Sequence, residues 1–420
     1  MTSEPVELVV DRIGAQGDGI AQWRGGSVFL PFTVPGERVR ARLGARRGEG
    51  HEGRVVERLD PGAGRVEPVC RHFGTCGGCA LQHLDAESYR AVKLGALSGA
   101  LRWAGLDPGA VAPLVSLPPS RRRARLGLAR PREPAAAAAI GFRERFSHRL
   151  VDLAECAVLE PALLALVAPL RRLAPVLETP GGTAELMLTR SDSGVDLLIE
   201  RGAAPGLAAL ETLAAFATEH DVARIVWRSG DEDMPVVERR PVRVVFSGVA
   251  VALPPGGFLQ ASAAAEAALV AEVIAAIGER RPVLDLYAGL GTFTFALAAG
   301  GAVHAVEGDA AAVAALSQAA VSVARVGVER RDLDRDPLGA AELAFYAAAV
   351  FDPPRAGALR QAAQLAASAL DTVVAVSCNP ATFARDAARL VAGGFRLERV
   401  VPVDQFAWTP HLELVGVFRR

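Results

Sequence analysis

The chain of 420 residues contains almost no lysine, only five cysteines and few aromatic residues. Lys93 is the one lysine, so nearly all of the positive charge is carried by arginine. Arginine forms paired hydrogen bonds to phosphate and stacks on bases, which would suit a nucleic-acid partner. An arginine- and alanine-rich composition can equally reflect coding bias, so this pattern alone decides nothing.

The chain also lacks a long uncharged hydrophobic run. Alanine-rich stretches at 261–277 and 341–349 contain interrupting residues, which predicts amphipathic or core segments rather than membrane spans. The interrupting residues are Glu266, Glu272, Glu342 and Tyr346. No opening stretch has the basic, apolar and small-residue order of a signal peptide. We therefore expect a cytoplasmic protein with no membrane partner.

The net charge of -1 conceals an uneven distribution. Residues 1–150 hold 23 Lys and Arg against 15 Asp and Glu, a balance of +8, and the remainder holds 23 against 32, a balance of -9. This asymmetry favours a polyanion that docks on the amino-terminal side, with a merely solvated basic surface as the alternative. The length predicts two or three domains, because one core rarely serves so long a chain.

Four of the five cysteines form a pattern typical of metal ligands. Cys70, Cys76 and Cys79 lie on one glycine-bearing loop, and Cys156 can supply a fourth thiolate from a distant strand or loop. A structural disulfide is not expected in a reducing compartment. On spacing alone, four thiolates suit zinc and an iron–sulfur cluster about equally. Two nearby histidines are further candidate ligands, namely His72 and His83.

Short alternating strands separated by glycines occupy residues 4–58, as at 6–10, 27–31 and 38–43. Strands at this spacing predict a small barrel. Several arginines on one strand face are expected to follow an RNA phosphate backbone, the alternative being an edge strand protected by its charge. These arginines are Arg38, Arg40, Arg42, Arg46 and Arg47.

The middle of the chain predicts a mixed domain. Residues 86–105 have apolar positions at helical spacing, and a strand-rich segment then runs to 250. Strand candidates within it are 185–189, 195–199 and 224–227. From about 251, strands and helices alternate, which is typical of a doubly wound parallel sheet.

Three strand-end motifs in this last part are expected to meet. A glycine-rich turn at 288–292 follows the strand 282–287, Asp352 begins an Asp-Pro-Pro-Arg stretch, and Cys378 lies in Ser-Cys-Asn-Pro. The carboxyl ends of parallel strands share one edge, so Cys378 would lie beside a nucleotide-type cofactor. Glu307 ends the next strand, where ribose hydroxyls are held. The turn is not G-x-G-x-x-G, which favours S-adenosylmethionine over a nicotinamide.

Together these motifs resemble those of the RNA uridine-5 methyltransferase family, specifically its iron–sulfur-containing 23S ribosomal RNA branch with a TRAM domain. The resemblance extends over almost the whole chain. It implies an α/β, Rossmann-like S-adenosylmethionine methyltransferase domain, preceded by an OB-like RNA-binding barrel and a mixed α+β central domain. We place these domains at 251–420, 1–58 and 59–250, with the helix at 86–105 packing on the catalytic domain.

The resemblance also implies two cofactors, S-adenosylmethionine and a 4Fe-4S cluster. Asp334 offers a second register for the position matched to Asp332, and Tyr287 and Thr292 could be plain strand-end and turn residues. The implied cofactor-binding residues are Gln260, Tyr287, Thr292, Glu307, Asp332 and Asp352, and the implied cluster ligands are Cys70, Cys76, Cys79 and Cys156.

Carbon 5 of uracil is a poor nucleophile, so the family's chemistry needs a thiolate that first adds to carbon 6. Cys378 is the cysteine that remains for this task, and Glu413 matches the family's base that removes the hydrogen from carbon 5. We expect the site to favour the thiolate through hydrogen-bond donors or positive potential. Asn379 and Pro380 would fix the turn, and Arg385 would contribute charge.

Several alternatives stay open. Asp-Pro-Pro-Arg has proline where the family motif has alanine, and it resembles the Asp-Pro-Pro-Tyr motif of methyltransferases that modify amino groups. A catalytically silent iron–sulfur module for RNA binding or redox sensing is another alternative, and a buried Cys378 with only a packing role would be ordinary. Ribosomal RNA is the expected partner, transfer RNA the alternative, and no obligate protein partner is predicted. A target uridine within a helix would have to be flipped out.

Overall fold

Five strands close a small barrel at the start of the chain, in a computed structural model that describes residues 4–133, 136–201 and 204–420. The predicted small barrel is confirmed. Strand β4 buries Val39, Ala41 and Leu43 and is paired on both sides, so the edge-strand interpretation of its arginines is wrong. The strands are β1 (Val6–Ile13), β2 (Gly19–Trp23), β3 (Gly26–Leu30), β4 (Arg38–Arg47) and β5 (Gly50–Asp60).

The cysteine loop, residues 70–79, leads from the barrel to helix α1 (Ala86–Trp103). The Asp85 carboxylate accepts a hydrogen bond from the Ser88 N–H and so caps the first turn of the helix. Leu97 and Leu101 of α1 are buried in the core of the carboxyl-terminal sheet, not in the barrel. A short strand, β6 (Val115–Ser116), then joins the edge of that same sheet.

The central part of the chain forms a mixed six-stranded sheet in the order β12-β11-β10-β9-β7-β8. The strands predicted at 185–189, 195–199 and 224–227 lie within β9, β10 and β11. The elements are β7 (Arg123–Ala129), β8 (Ala139–Gly141), α2 (Pro161–Leu170), α3 (Ala174–Leu177), β9 (Thr183–Ser191), β10 (Gly194–Glu200), α4 (Leu207–Glu219), β11 (Val222–Ser229) and β12 (Glu232–Glu238).

A hairpin of β13 (Arg243–Phe246) and β14 (Val249–Ala252) precedes the carboxyl-terminal sheet. The strand order of that sheet is β17-β16-β15-β18-β19-β21-β20-β6. Its elements are α5 (Ala263–Ile277), β15 (Val283–Leu286), α6 (Thr294–Ala298), β16 (Val303–Glu307), α7 (Ala310–Ala320), β17 (Val326–Arg330), α8 (Ala340–Leu343), β18 (Ala348–Phe351), α9 (Leu359–Ala367), β19 (Thr372–Ser377), α10 (Pro380–Ala392), β20 (Arg396–Asp404) and β21 (Glu413–Arg419).

Strands β15 to β19 are parallel to one another, and helices cover both faces of the sheet, as predicted for a doubly wound fold. Helices α1, α9 and α10 pack on one face, and α5 and α6 pack on the other. Strand β21 runs antiparallel to β19, with Leu414 opposite Ser377. The loop from 405 to 412, which joins β20 to β21, therefore lies at the edge where β15, β16, β18 and β19 end. Within the described ranges, no helix is long and apolar enough to cross a membrane.

Candidate active site

Two cavities meet at this edge of the sheet. The first has a volume of about 960 Å³ and is lined by all eight residues predicted to bind cofactor or act in catalysis. The second, of about 1290 Å³, is lined by the four cysteines predicted as cluster ligands. Cys378 lines both, so it lies where they join. Four other residues line both cavities as well, namely Arg121, Arg123, Arg355 and His411.

The glycine-rich turn after β15 forms one wall of the first cavity. A Cβ atom on Gly291 (φ +95°) would lie 2.6 Å from the Phe295 ring, whereas one on Gly289 (φ +55°) would have no neighbour within 4 Å. The backbone at Gly289 thus has open space in front of it, which lets a ligand approach closely. Glu307 accepts the Gly289 N–H at 2.9 Å and the Gly308 N–H at 2.7 Å, so its carboxylate fixes this turn to the end of β16.

Tyr287 follows β15 directly and has a left-handed backbone conformation, with φ +58°. Its hydroxyl donates to Asp334 at 3.2 Å. Asp332 instead accepts the backbone N–H groups of Asp334 and Arg335. Both carboxylates line the first cavity, so Asp332 and Asp334, the two residues that the motif match allowed at this position, lie at the site. Thr292 lines it too.

A chain of hydrogen bonds joins the carboxylates of Asp352 and Glu413. Gln260 donates from Nε2 to Asp352 at 3.0 Å, and Gln405 donates from Nε2 to Gln260 at 2.9 Å and to Glu413. The Gln405 side-chain oxygen accepts the Ala261 N–H at 2.9 Å. Sequence reasoning missed Gln405, because the fold brings Gln260 and Glu413 to it and no local pattern marks the position.

The two carboxylates resist being charged at the same time. Burial raises the pKa of Asp352 to about 7. Burial also raises the pKa of Glu413 well above its ordinary value, and the charge of Asp352 raises it further. Each negative charge therefore makes ionisation of the other carboxyl group less favourable. The site therefore contains a carboxyl group that can exchange a proton near neutral pH.

Cys378 lies between the end of β19 and the start of α10. Asn379 accepts the Ala381 N–H at 3.1 Å and donates to the Arg355 carbonyl at 3.1 Å, so the predicted role of Asn379 in fixing the turn is confirmed. The predicted stabilisation of the thiolate is wrong for the protein alone. Burial, followed by the charges of Glu413 and Asp352, raises the pKa of Cys378 to about 11.

The predicted charge contribution of Arg385 is also wrong. Arg385 pairs with the neighbouring Asp386 at 2.7 Å and donates to the Ala356 carbonyl at 2.9 Å. The cation that acts on the thiol is Arg355, which opposes the rise in the pKa of Cys378. Arg355 follows β18 directly after the two prolines, whereas Arg385 lies one turn into α10, and sequence separation alone did not distinguish them.

The loop that leads to Glu413 is bound to α1. The ammonium of Lys93, whose side chain is fully buried, donates to Asp404 at 2.7 Å and to the carbonyls of Phe406 and His411. Tyr89 donates to Asp404 and accepts the Trp408 N–H at 3.0 Å. The sequence marked Lys93 only as the one lysine of the chain, and its role depends on partners more than 300 positions away.

The cysteine loop touches the same segment, because the Trp408 carbonyl accepts the N–H groups of Ala80 and Leu81 at 2.8 and 3.0 Å. The loop from 405 to 412 is thus held from two sides. One side is α1, and the other is the chain that directly follows Cys79.

The four predicted cluster cysteines surround one cavity. Cys76 accepts the Gly78 N–H on its sulfur at 3.4 Å, and the charges of Cys156 and Cys70 add to the effect of burial in raising the pKa of Cys76. Within the described part of the chain, no group of three or more His, Cys, Asp or Glu side chains is arranged to hold a metal ion. The thiols are gathered, but they do not form a closed metal site.

Both histidines near this loop have other partners. His72 accepts the Ala154 N–H at 3.1 Å. His83 lies 3.0 Å from the Thr33 carbonyl of the barrel, and burial lowers the pKa of His83 to about 4. The four thiols are therefore the better donor set for any metal.

The arginines divide into two groups. On β4, Arg40 pairs with Glu7 and Glu57, and Arg47 pairs with Asp18, so these two are partly neutralised. At the junction of the cavities, Arg121 and Arg123 form no ion pair with any described carboxylate and lie over aromatic rings. Arginines without an ion pair to a described carboxylate therefore lie beside Cys378, as they do on the barrel at Arg38, Arg42 and Arg46.

Comparison with known proteins places this site in a family. The family of tRNA (Uracil-5-)-methyltransferases matches residues 249–420. An uncharacterized RNA methyltransferase of Caulobacter vibrioides is 45% identical, with 99% of this chain and 100% of that protein covered. The 23S rRNA (uracil(1939)-C(5))-methyltransferase RlmD of Chromohalobacter salexigens is 38% identical, with 98% and 89% covered.

A solved structure has the same fold over its full length. It is the Pyrococcus abyssi tRNA (uracil-54, C5)-methyltransferase in complex with S-adenosyl-L-homocysteine, with a TM-score of 0.75, 23% identity and 100% of both chains covered. The barrel followed by an α/β methyltransferase-like sheet is thus an arrangement already known for an enzyme of this type. The chain belongs to the family of RNA uracil-5 methyltransferases.

Proposed function

We propose that the protein methylates carbon 5 of one uridine in 23S ribosomal RNA, with S-adenosylmethionine as methyl donor, through a covalent bond between Cys378 and the base. The observation that carries this proposal is the position of Cys378 at the junction of the two cavities. One cavity has the acidic residues and open glycine turn suited to the cofactor. The other has the arginines suited to RNA.

In the proposed mechanism, the Cys378 thiolate adds to carbon 6 of uracil and makes carbon 5 nucleophilic. S-adenosylmethionine supplies an electrophilic methyl group, which carbon 5 takes as the bond from methyl to sulfur breaks. Glu413 then accepts the proton from carbon 5, the bond from carbon 6 to Cys378 breaks, and the thiolate is restored. Leu414 lies opposite Ser377 in the sheet, which puts Glu413 next to the strand end that carries Cys378.

The amides of Gln260 and Gln405 would set the protonation of the Asp352 and Glu413 carboxyl groups. Asp352 and Glu413 are joined through the two amides, and both have a raised pKa. A raised pKa makes the Glu413 carboxylate a stronger base for the proton on carbon 5. We assign cofactor contact to Gln260, Tyr287, Thr292, Glu307, Asp332 and Asp352, all of which line the first cavity.

We also propose that Cys70, Cys76, Cys79 and Cys156 hold a 4Fe-4S cluster with a structural role. Four thiols around one cavity, one of them already accepting a backbone N–H, form a suitable donor set. The five-stranded closed barrel would be the TRAM-like RNA-binding domain. Ribosomal RNA is favoured as substrate because a relative named for it covers 98% of the chain at 38% identity.

The covalent mechanism is tested with RNA that carries 5-fluorouridine, since fluorine at carbon 5 cannot leave as a proton. We expect a stable protein–RNA adduct with wild type and none with Cys378→Ala.

Glu413→Gln should accumulate the adduct even on ordinary uridine RNA, because only the last step is blocked. A matched control is Glu398→Gln, which changes a surface carboxylate that pairs with Arg396 and Arg419 and should behave as wild type. Methylation retained by Cys378→Ala would overturn the thiolate mechanism and favour methylation of an amino group.

The cluster is tested separately by iron and sulfide analysis of anaerobically purified protein. We expect about four iron and four sulfide per chain, with loss of both in Cys156→Ser and retention in Cys378→Ser. Zinc in place of iron would overturn the cluster assignment without affecting the methyl-transfer mechanism.

A further inference from the structure

A stack of aromatic and guanidinium groups runs from the cysteine loop to the protein surface. Phe73 in this loop packs edge-on against Phe32 of the barrel, with ring centroids 5.0 Å apart. The Arg145 guanidinium lies 5.4 Å from the Phe32 ring centroid and 4.9 Å from that of Phe146. Phe146 ends the stack and is 72% exposed. The stack therefore offers an aromatic ring to solvent.

Ion pairs fix the two arginines beside the Phe146 ring. Asp18, which is 2% exposed, accepts from Arg47 at 2.8 Å and from Arg145 at 2.7 Å. The Arg47 guanidinium lies 5.6 Å from the Phe146 ring centroid. The segment that carries Phe146 is bound to the cysteine loop, because the Gly77 N–H donates to the Arg143 carbonyl at 2.9 Å. Two fixed cations thus flank an exposed ring.

Packing does not explain why a phenylalanine is found at this position. Its backbone is in the left-handed region, with φ +59°, where a bulky side chain is disfavoured. Its ring contributes little to burial. A residue that is both strained and exposed is more consistent with a ligand contact than with a role in stability.

The charged residues that line the cavity indicate which kind of ligand would contact Phe146. Phe146 lines the same cavity as Cys378, so a ligand seated at Cys378 can extend to it. Among the described residues that line this cavity, Asp11 is the one carboxylate. The arginines that line it with Arg145 are Arg12, Arg102, Arg121, Arg123, Arg125 and Arg355. This surface suits a polyanion with flat bases rather than an apolar protein segment.

We propose that Phe146, flanked by Arg145 and Arg47, is a stacking platform for an unpaired base of the substrate RNA other than the target uridine. The inference rests on the proposed function in that RNA is the substrate. Unpaired bases stack on aromatic rings and on guanidinium planes, and such stacking tolerates any base. The platform would hold a second nucleotide while the target uridine occupies the site at Cys378.

The test is the dissociation constant of wild type and variants for a substrate RNA fragment. Phe146→Ala should weaken binding about 5- to 160-fold, the range for loss of one base–aromatic stack, and Phe146→Tyr should stay within about twofold of wild type. Phe345→Ala is the matched control, because Phe345 is 79% exposed and lines neither cavity, and it should bind as wild type does. Melting temperatures check that each variant is folded.

Two further measurements identify the contact. Phe146→Ala should bind RNA more weakly than wild type at every salt concentration. The slope of log affinity against log salt concentration should not change, because stacking releases no counterions. Removal of one base from the RNA should weaken wild type as much as Phe146→Ala does, and should cost the variant nothing more. Equal affinity of Phe146→Ala and wild type, or additive losses at every abasic position, would overturn the platform. If wild type methylates the same RNA, such a result leaves the proposed function intact, whereas failure of wild type to methylate any RNA refutes that function directly.

Discussion

At the scale of single residues, the electrostatics of Cys378 oppose its proposed task. A nucleophilic thiol must ionise, yet burial and the charges of Glu413 and Asp352 raise the pKa of Cys378 to about 11, above the ordinary value of about 8.5. Arg355 opposes this rise but does not outweigh it. In the free protein, Cys378 is therefore mainly a thiol at neutral pH, and its reactivity should depend on the charges around it.

We expect alkylation of Cys378 by iodoacetamide in the free protein to rise about tenfold per pH unit from about pH 8 to pH 10 without a plateau, because only the thiolate reacts. Glu413→Gln should speed the reaction at a given pH, since it removes a negative charge, and Arg355→Met should slow it. Mass spectrometry of the peptide that contains Cys378 measures the rate. Arg385→Met is the matched control and should change nothing, because that cation is engaged by Asp386. A plateau below about pH 9 would contradict this view of the site.

Glu413 should make stability fall as pH rises. Its pKa is raised in the folded protein, so the folded state holds the proton more tightly than the unfolded chain does. The resulting stabilisation is complete below the unfolded pKa and is lost as pH rises through the folded pKa. Glu413→Gln should therefore raise the melting temperature relative to wild type at about pH 8 and change it little at about pH 5.

Glu398→Gln is the control of opposite sign. Hydrogen bonds from Arg396 lower the pKa of Glu398, so its contribution is present at high pH and is lost on acidification. This substitution should not raise the melting temperature at about pH 8. A stabilising effect of Glu413→Gln that was the same at both pH values would show that a change in packing, not the carboxyl charge, was responsible.

At the scale of elements, α1 and the loop from 405 to 412 act as one unit. Lys93 and Tyr89 bind Asp404 at the end of β20, and Lys93 also binds the loop carbonyls. Lys93→Met should lower the free energy of unfolding by about 3 kcal/mol, because it leaves a buried carboxylate without its cation. Methyl transfer should fall as well, since the loop carries Gln405 and leads to Glu413. Thermal melting and methylation assays measure the two effects.

A double substitution separates charge from packing in this unit. Lys93→Met with Asp404→Asn should be more stable than Lys93→Met alone, because no unpaired charge is then buried. Arg335→Met is a surface comparison, since the Arg335 side chain is 87% exposed and Asp332 is its one ion-pair partner among the described residues. A change of less than about 0.5 kcal/mol in Lys93→Met would contradict the importance of this contact.

Much of the element order could be predicted from the sequence, because local pattern decides it. The strand predicted at 282–287 is observed as β15 over Val283–Leu286, and the helix predicted over 86–105 ends two residues earlier, at Trp103. The strand-end motifs converge because parallel strands share an edge, which requires no knowledge of side-chain packing.

Features that depend on long-range packing could not be predicted. Gln405 bonds to Gln260, 145 positions away, and the importance of Lys93 depends on Asp404, more than 300 positions away. The raised pKa of Cys378 arises from burial and from two carboxylates on different strands. Whether Arg355 or Arg385 acts on the Cys378 thiol depends on the direction in which each side chain extends from the backbone. None of these is visible in local spacing.

At the scale of the whole molecule, three parts of the chain meet around Cys378. The barrel contributes Asp11 and Arg12 to the lining of the second cavity, the central segment contributes Arg145 and Phe146, and the carboxyl-terminal sheet contributes Cys378. The cavity between them continues through Cys378 into the cavity lined by Asp352 and Glu413, which we propose as the cofactor site. This continuity explains how RNA and cofactor could approach the same thiol from different directions.

The measurement that tests this account most directly is transfer of a labelled methyl group from S-adenosylmethionine to RNA from cells that lack the protein. The protein is purified anaerobically, and the products are separated by RNA class and analysed as nucleosides. We predict label in 5-methyluridine of large-subunit ribosomal RNA, with none for Cys378→Ala. Label in transfer RNA would keep the chemistry and refute the proposed substrate. Absence of label from every RNA would contradict the proposed function and favour a protein that only binds RNA.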